Sequence, residues 1–216
     1  MAERAKRADR RPAPRLYLVT PRLDETAGFA PLLAQALAAG DVAAVLLRLA
    51  PADERSLINR AKALGPAVQD KGAALLIDGH AELVARAGCD GAHLTGLAAF
   101  TAALEQLKPD RSAGVGGLQS RHDAMLAAEQ GADYVMFGEP DENGERPGFD
   151  AVAERVAWWA EVFEMPCVGY AASPEEVAPL VKAGADFVAL GDWLWHDPQA
   201  AVAAAARDLT LPEPAS

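Results

Sequence analysis

Along the chain, short apolar runs, many of them β-branched, alternate with longer segments rich in Ala and Leu. Strands are predicted at Leu16–Val19, Val42–Leu47, Ala73–Ile77, Gly91–His93, Ala113–Val115, Tyr134–Phe137, Cys167–Gly169 and Phe187–Leu190. Helices are predicted at Phe29–Ala38, Asp53–Gln69, Ala81–Ala87, Leu97–Leu107, Arg121–Glu129, Asp150–Phe163, Pro174–Lys182 and Pro198–Asp208. Eight strands, each followed by a helix, is the count of a closed parallel (β/α)8 TIM barrel. Nearly continuous apolar strands such as Ala73-Ala74-Leu75-Leu76-Ile77 fit a sheet buried on both faces. An open, flavodoxin-like sheet is the competing arrangement, but it usually has about five or six strands.

A loose repeat supports the barrel. Gly88-Cys89-Asp90-Gly91 returns as Gly131-Ala132-Asp133-Tyr134 and as Gly184-Ala185-Asp186-Phe187. In each copy a Gly can end the helix in a left-handed conformation, and the Asp falls just before the next strand. That position is the amino-terminal rim, which serves stability in such barrels, so these Asp residues read as structural. Ser173-Pro174 supplies an N-cap and a first-turn proline for the seventh helix.

Length and charge narrow the picture further. With 216 residues the chain suits one domain, expected over 15–210, between a basic tail at 1–14 and a short C-terminal tail at 211–216. Six of the first fifteen residues are Arg or Lys, so the remainder is more acidic than the net charge of −11 suggests. Such a body repels phosphate backbones and argues against nucleic acid as a partner. The basic start lacks the apolar stretch of a secretory signal, and no run approaches the roughly 18 residues of a membrane span. Cys89 and Cys167 show no metal-ligand spacing and read as buried free thiols of a cytoplasmic protein. Trp158-Trp159 and Trp193/Trp195 are expected to cover helix and barrel-end surface, or to meet a second copy in a homodimer.

In a (β/α)8 barrel the chemistry gathers at the carboxyl ends of the strands, with phosphate commonly held after the last two. That rule selects Arg48, Asp78, His93, Gly114, Gly169 and Gly191 as candidate substrate-binding residues. Gly169 and Gly191 are candidates for a phosphate cradle, where absent side chains let amides approach an anion, or else they only make tight turns. Arg48 can grip a phosphate or form a rim salt bridge, for example to Asp78. His93 can donate to a substrate or move a proton, or it is a packed histidine. His80, His122 and His196 read as exposed, without zinc spacing. The stretch Glu139-Pro140-Asp141-Glu142-Asn143-Gly144-Glu145-Arg146-Pro147-Gly148 is the longest irregular segment at this face and reads as a solvated loop or a lid.

The opening Leu16-Tyr17-Leu18-Val19-Thr20, together with Cys89-Asp90-Gly91-Ala92-His93-Leu94-Thr95-Gly96, Gly131-Ala132-Asp133-Tyr134-Val135-Met136-Phe137-Gly138 and Gly184-Ala185-Asp186-Phe187-Val188-Ala189-Leu190, resembles thiamine phosphate synthase and its thiazole tautomerase relatives. The resemblance runs from about Leu16 to Asp208. It implies a (β/α)8 barrel and a reaction that joins a hydroxymethylpyrimidine diphosphate to a thiazole phosphate, releasing pyrophosphate with Mg²⁺ assistance. Only Arg48 remains of the family's Gln-Leu-Arg-Glu-Lys. Gly79 stands where a metal-binding Asp is usual and Ala98 where a second carboxylate is usual. Gln119 replaces the His associated with tautomerase work, the acidic loop replaces a Thr-x-Thr-Lys segment, and Val168-Gly169-Tyr170-Ala171 replaces the Ile-Gly-Gly-Ile turn. The expectation is a divergent member that binds a small phosphorylated, thiazole- or pyrimidine-like molecule, with no metal ligand and no catalytic residue assigned. A non-catalytic phosphate-ester-binding barrel, and a different isomerase or transferase using Asp78 and His93, are the alternatives.

Overall fold

The computed structural model describes residues 12–210; the tails expected at either end lie almost wholly outside these residues. The strands are β1 (Arg15–Val19), β2 (Val42–Leu47), β3 (Ala74–Asp78), β4 (Gly91–Thr95), β5 (Ser112–Gly116), β6 (Tyr134–Phe137), β7 (Cys167–Ala171) and β8 (Phe187–Leu190). They close in sequence order into one parallel barrel, with β8 pairing back onto β1. The helices that follow them are α1 (Ala30–Ala38), α2 (Glu54–Gln69), α3 (Val84–Ala87), α4 (Leu97–Leu107), α5 (Arg121–Glu129), α6 (Phe149–Val162), α7 (Val177–Ala183) and α8 (Pro198–Asp208).

Local chemistry marks the helix ends. Asp53 caps α2 by accepting from the Ser56 amide at 3.1 Å, and Ser120 with Asp123 forms a reciprocal capping box at the start of α5. Gly88 and Gly184 end α3 and α7 in the left-handed conformation expected of them.

Alternation along the strands splits the core in two. Leu16, Leu18, Val45 and Leu47 pack outward against the helices. Tyr17, Val19, Leu46, Leu76, Tyr134, Met136, Val168 and Tyr170 fill the barrel interior. Trp159 is fully buried rather than a surface cover, stacked on Phe163 and donating its indole N–H to the Met165 carbonyl at 2.8 Å. Trp193 and Trp195 do close the barrel end, donating to the carbonyls of Ala171 and Val19. Cys89 and Cys167 are both buried. Among the described residues no helix is long and apolar enough to cross a membrane.

The repeated Asp has a physical role at the amino-terminal rim. Asp90 accepts from the Leu75 amide at 2.7 Å, Asp133 from the Ala113 amide at 2.7 Å, and Asp186 from the Cys167 amide at 2.9 Å. In each case the Asp's own amide donates back to the carbonyl of the same residue, at 2.8, 2.9 and 3.0 Å. Each Asp therefore clamps the start of the preceding strand at two points. Asp133 also holds Lys108 at 2.6 Å. Asp133→Ala should lower the unfolding free energy in urea by about 1–2 kcal/mol, the scale for a partly exposed charged hydrogen bond. Asp110→Ala, at an exposed neighbouring site, should change it by less than about 0.5 kcal/mol; equal effects would refute the clamp.

Candidate active site

The carboxyl ends of the strands surround a cavity of about 370 Å³. Its wall takes Val19 from β1, Leu46 from β2, Asp78 from β3, His93, Leu94 and Thr95 from β4, Met136 from β6 and Tyr170 from β7. Arg22, Arg48, Glu139, Asp141 and Glu142 enter from the segments that follow β1, β2 and β6. Parallel strands all present the same end, so residues distant in sequence meet here.

Arg48 is anchored at the rim. Its Nε donates to the Thr20 carbonyl at 2.5 Å and its Nη2 to Asp192 at 2.6 Å. The rim salt bridge expected of it thus goes to Asp192 after β8, not to Asp78. Asp192 is largely exposed, which keeps the pair's contribution to stability small.

His93 is 3% exposed and starts a buried chain. Its Nδ1 lies 3.0 Å from the Tyr134 hydroxyl, which lies 2.9 Å from the Tyr17 hydroxyl. Tyr134 also stacks on the imidazole. Burial pushes the His93 pKa down to about 4 despite the opposing pull of Asp78, so the ring is neutral over the ordinary pH range. A chain in which Tyr17 donates to Tyr134 and Tyr134 to Nδ1 leaves the imidazole proton on Nε2.

That nitrogen and Glu139 both lie close to Gly116. A Cβ built on Gly116 would fall 1.7 Å from Glu139 Oε1 and 2.8 Å from His93 Nε2, so the two groups share the space above this glycine. Oε1 accepts from the Gly117 amide. Although Glu139 keeps some surface toward the cavity, its carboxyl is deep enough that burial raises its pKa to about 7, with Asp78 adding to the effect and the amides of Glu139 and Gly117 opposing it.

The sequence-selected residues separate into two groups. Arg48, Asp78 and His93 meet in the cavity wall. Gly114, Gly169 and Gly191 are not among its lining residues. A Cβ on Gly114 would fall 2.0 Å from the Tyr134 ring, so this glycine makes room for the His93 partner. A Cβ on Gly169 would meet Leu180 of α7 at 2.8 Å, and one on Gly191 the Tyr170 hydroxyl at 2.5 Å. Glu139 is the residue that sequence reasoning missed, because it opens an acidic segment that reads as solvated. Arg146, in the same segment, was missed too. Its Nη1 contacts both Glu176 oxygens at 3.1 and 3.0 Å, its guanidinium lies 5.9 Å from the Tyr170 ring, and its buried Nε and Nη2 make no hydrogen bond.

The carboxylates do not make a ready cation site. Asp141 turns back to accept from the Asn143 and Glu145 amides, and Glu139 is held by Gly117. Among the described residues no three or more His, Cys, Asp or Glu side chains converge closely enough to hold a metal ion. The residues present therefore do not fit Mg²⁺ as a preformed site.

Comparison with known proteins adds an independent line. The profile of the family described as thiamine monophosphate synthase matches residues 16–193. The thiamine-phosphate synthase of Rhodospirillum centenum is 42% identical over 195 residues, covering 89% of this chain and 94% of that protein. That of Hyphomonas neptunium is 38% identical over 209 residues, covering 91% and 94%. Among solved structures, a thiamine phosphate pyrophosphorylase from Pyrococcus furiosus superposes with a TM-score of 0.74 at 20% identity, covering 90% of this chain and 95% of that one.

The His93–Glu139 pair has a measurable linkage. His93's lowered pKa contributes stability that is complete above the unfolded value of 6.5 and is lost as pH falls toward about 4. Glu139's raised pKa acts oppositely: its contribution is complete below the unfolded value of 4.5 and is lost as pH rises toward about 7. Between pH 4.5 and 6.5 the two slopes cancel, because the folded and the unfolded pair each carry one proton. Glu139→Gln removes one arm. Its stability should then fall relative to the parent on acidification through that window, with a slope approaching about 1.4 kcal/mol per pH unit. Denaturant titrations at several pH values check this, and parallel curves for the two proteins would contradict it.

Proposed function

The chain belongs to the thiamine monophosphate synthase family, and we propose that it is a thiamine-phosphate synthase whose substrates meet in the cavity at the carboxyl-terminal mouth of the barrel. The observation that carries this reading is a cavity in which an apolar wall of Val19, Leu46, Leu94 and Met136 adjoins Arg22 and Arg48, with Asp78, Glu139, Asp141 and Glu142 at its other sides. The apolar wall suits a heterocycle and the arginines suit its phosphate, and about 370 Å³ falls in the usual range for a small-molecule site. Arg48, Asp78 and His93 are the residues proposed to touch the ligand. Negative charge builds on the departing pyrophosphate in such a reaction, and fixed guanidinium groups stabilise it without reorganising. Arg146, paired with Glu176 through Nη1, keeps two further donors beside Tyr170 at the same end of the barrel. We place the protein in the cytoplasm with a small phosphorylated molecule, and not nucleic acid, as its partner; the low cysteine count, with both thiols buried, and a net charge of −11 support this.

A second reading, a barrel that binds a phosphate ester without turning it over, is favoured by the lack of a converging metal-ligand set among the described residues. A purified-protein assay with the pyrimidine diphosphate, the thiazole phosphate and Mg²⁺ separates the two. Thiamine phosphate is the expected product. Binding of the phosphate esters without product would support the second reading, and absence of binding would remove both. Arg48→Ala should weaken binding of either phosphate ester by about 1–3 kcal/mol, the range for a charged hydrogen-bonding partner, as measured by calorimetry. Unchanged affinity would take Arg48 out of the site.

A further inference from the structure

In the cavity wall one carboxyl group is drawn inward beside a buried histidine. Glu139 lies beside His93 Nε2 over Gly116, and its Oε1 is fixed by the Gly117 amide. A carboxyl offers about four acceptor positions, so this bond leaves capacity for a ligand. The ligand group it meets is not phosphate, which a carboxylate repels.

The charged and titratable neighbours restrict the choice further. Asp78 adds negative charge from β3, while Tyr17, Tyr134 and Tyr170 approach from β1, β6 and β7 with their phenols held neutral by burial. His93, on β4, is neutral as well. Arg155, on α6, is committed to the carbonyls of Leu118 and Gln119 at 3.0 and 3.2 Å and pulls only weakly the other way. These surroundings favour a proton held at the carboxyl. A planar carboxyl with one mobile proton matches a ring edge that carries a nitrogen acceptor next to an exocyclic amine: the amine donates to one oxygen, and the proton lies between the other oxygen and the ring nitrogen.

We propose that Glu139 is the specificity-determining residue of this pocket, reading the ring nitrogen and adjacent amine of an aminopyrimidine-like heterocycle while the arginines take its phosphate. This rests on the reading above, that the barrel mouth binds a phosphorylated small molecule.

Two probes separate the two ideas. Calorimetric titrations with the phosphate ester of an aminopyrimidine methanol, from about pH 7.5 to about 9, read the carboxyl; inorganic phosphate reads the arginines alone. In the parent protein the affinity for the ester should fall about tenfold per pH unit over this range, as the shared proton is lost. Glu139→Gln presents the same donor–acceptor edge without a titrating proton, so it should keep the ester and lose the slope. Glu139→Leu should weaken the ester at least about tenfold at the lower pH, and both variants should leave phosphate binding within about threefold. Equal ester affinity in Glu139→Leu, or an unchanged slope in Glu139→Gln, would overturn the assignment while phosphate binding kept the wider reading intact. Failure of the parent to bind either probe would overturn both.

Discussion

A carboxyl group withdrawn from water must keep its proton, find a cation or be surrounded by donors, because an unpaired buried charge costs far more than a single fold can spare. Glu139 is in that position at the mouth of this barrel. The amides around it donate, but burial outweighs them, and its pKa rises to about 7. Beside it, His93 is neutral for the same reason. Much of the site's geometry serves to accommodate these two groups: Gly116 leaves space for both, Gly114 leaves space for the Tyr134 ring that holds His93, and Tyr17 completes the chain.

The closed barrel lets the two ends of the sheet do different work. At the amino-terminal rim, Asp90, Asp133 and Asp186 spend their carboxylates on strand amides. These bonds fix the starts of β3, β5 and β7 and so help to hold the register that aims the opposite ends. At the carboxyl-terminal rim, the charged groups include Arg48, tied to β1 and to the segment after β8, and Arg146, which retains free donors. Stability and ligand chemistry therefore draw on the same residue types at opposite faces.

The fold was legible because it depends on local pattern: apolar runs buried on both faces, separated by amphipathic helices, leave little choice but a parallel barrel. The structure extends several predicted strands by a residue or two and shifts the third, predicted at Ala73–Ile77, by one residue to Ala74–Asp78. Arg48, Asp78 and His93 were legible by a positional rule, since each falls at or just past the end of a predicted strand. Glu139 was not legible, because its neighbours in sequence are acids exposed to water, and only the closure of β5 against β6 takes it inward. A signal was present in Gly114-Val115-Gly116-Gly117. Such a density of glycine at a strand end says that something large lies across the strand, although it does not say what. Gly169 and Gly191 show the converse: a glycine at a strand end reads as an anion cradle, while Leu180 and Tyr170 lie where their side chains would be.

The central claim is that the Glu139 carboxyl holds its proton to near neutrality because it is buried, with Asp78 adding to the effect. Carboxyl-carbon NMR of the protein labelled at glutamate, with the Glu139 resonance assigned by its loss in Glu139→Gln, measures this directly. The account predicts a titration midpoint near 7 for that resonance. A midpoint near the ordinary glutamate value of 4.5 would contradict it.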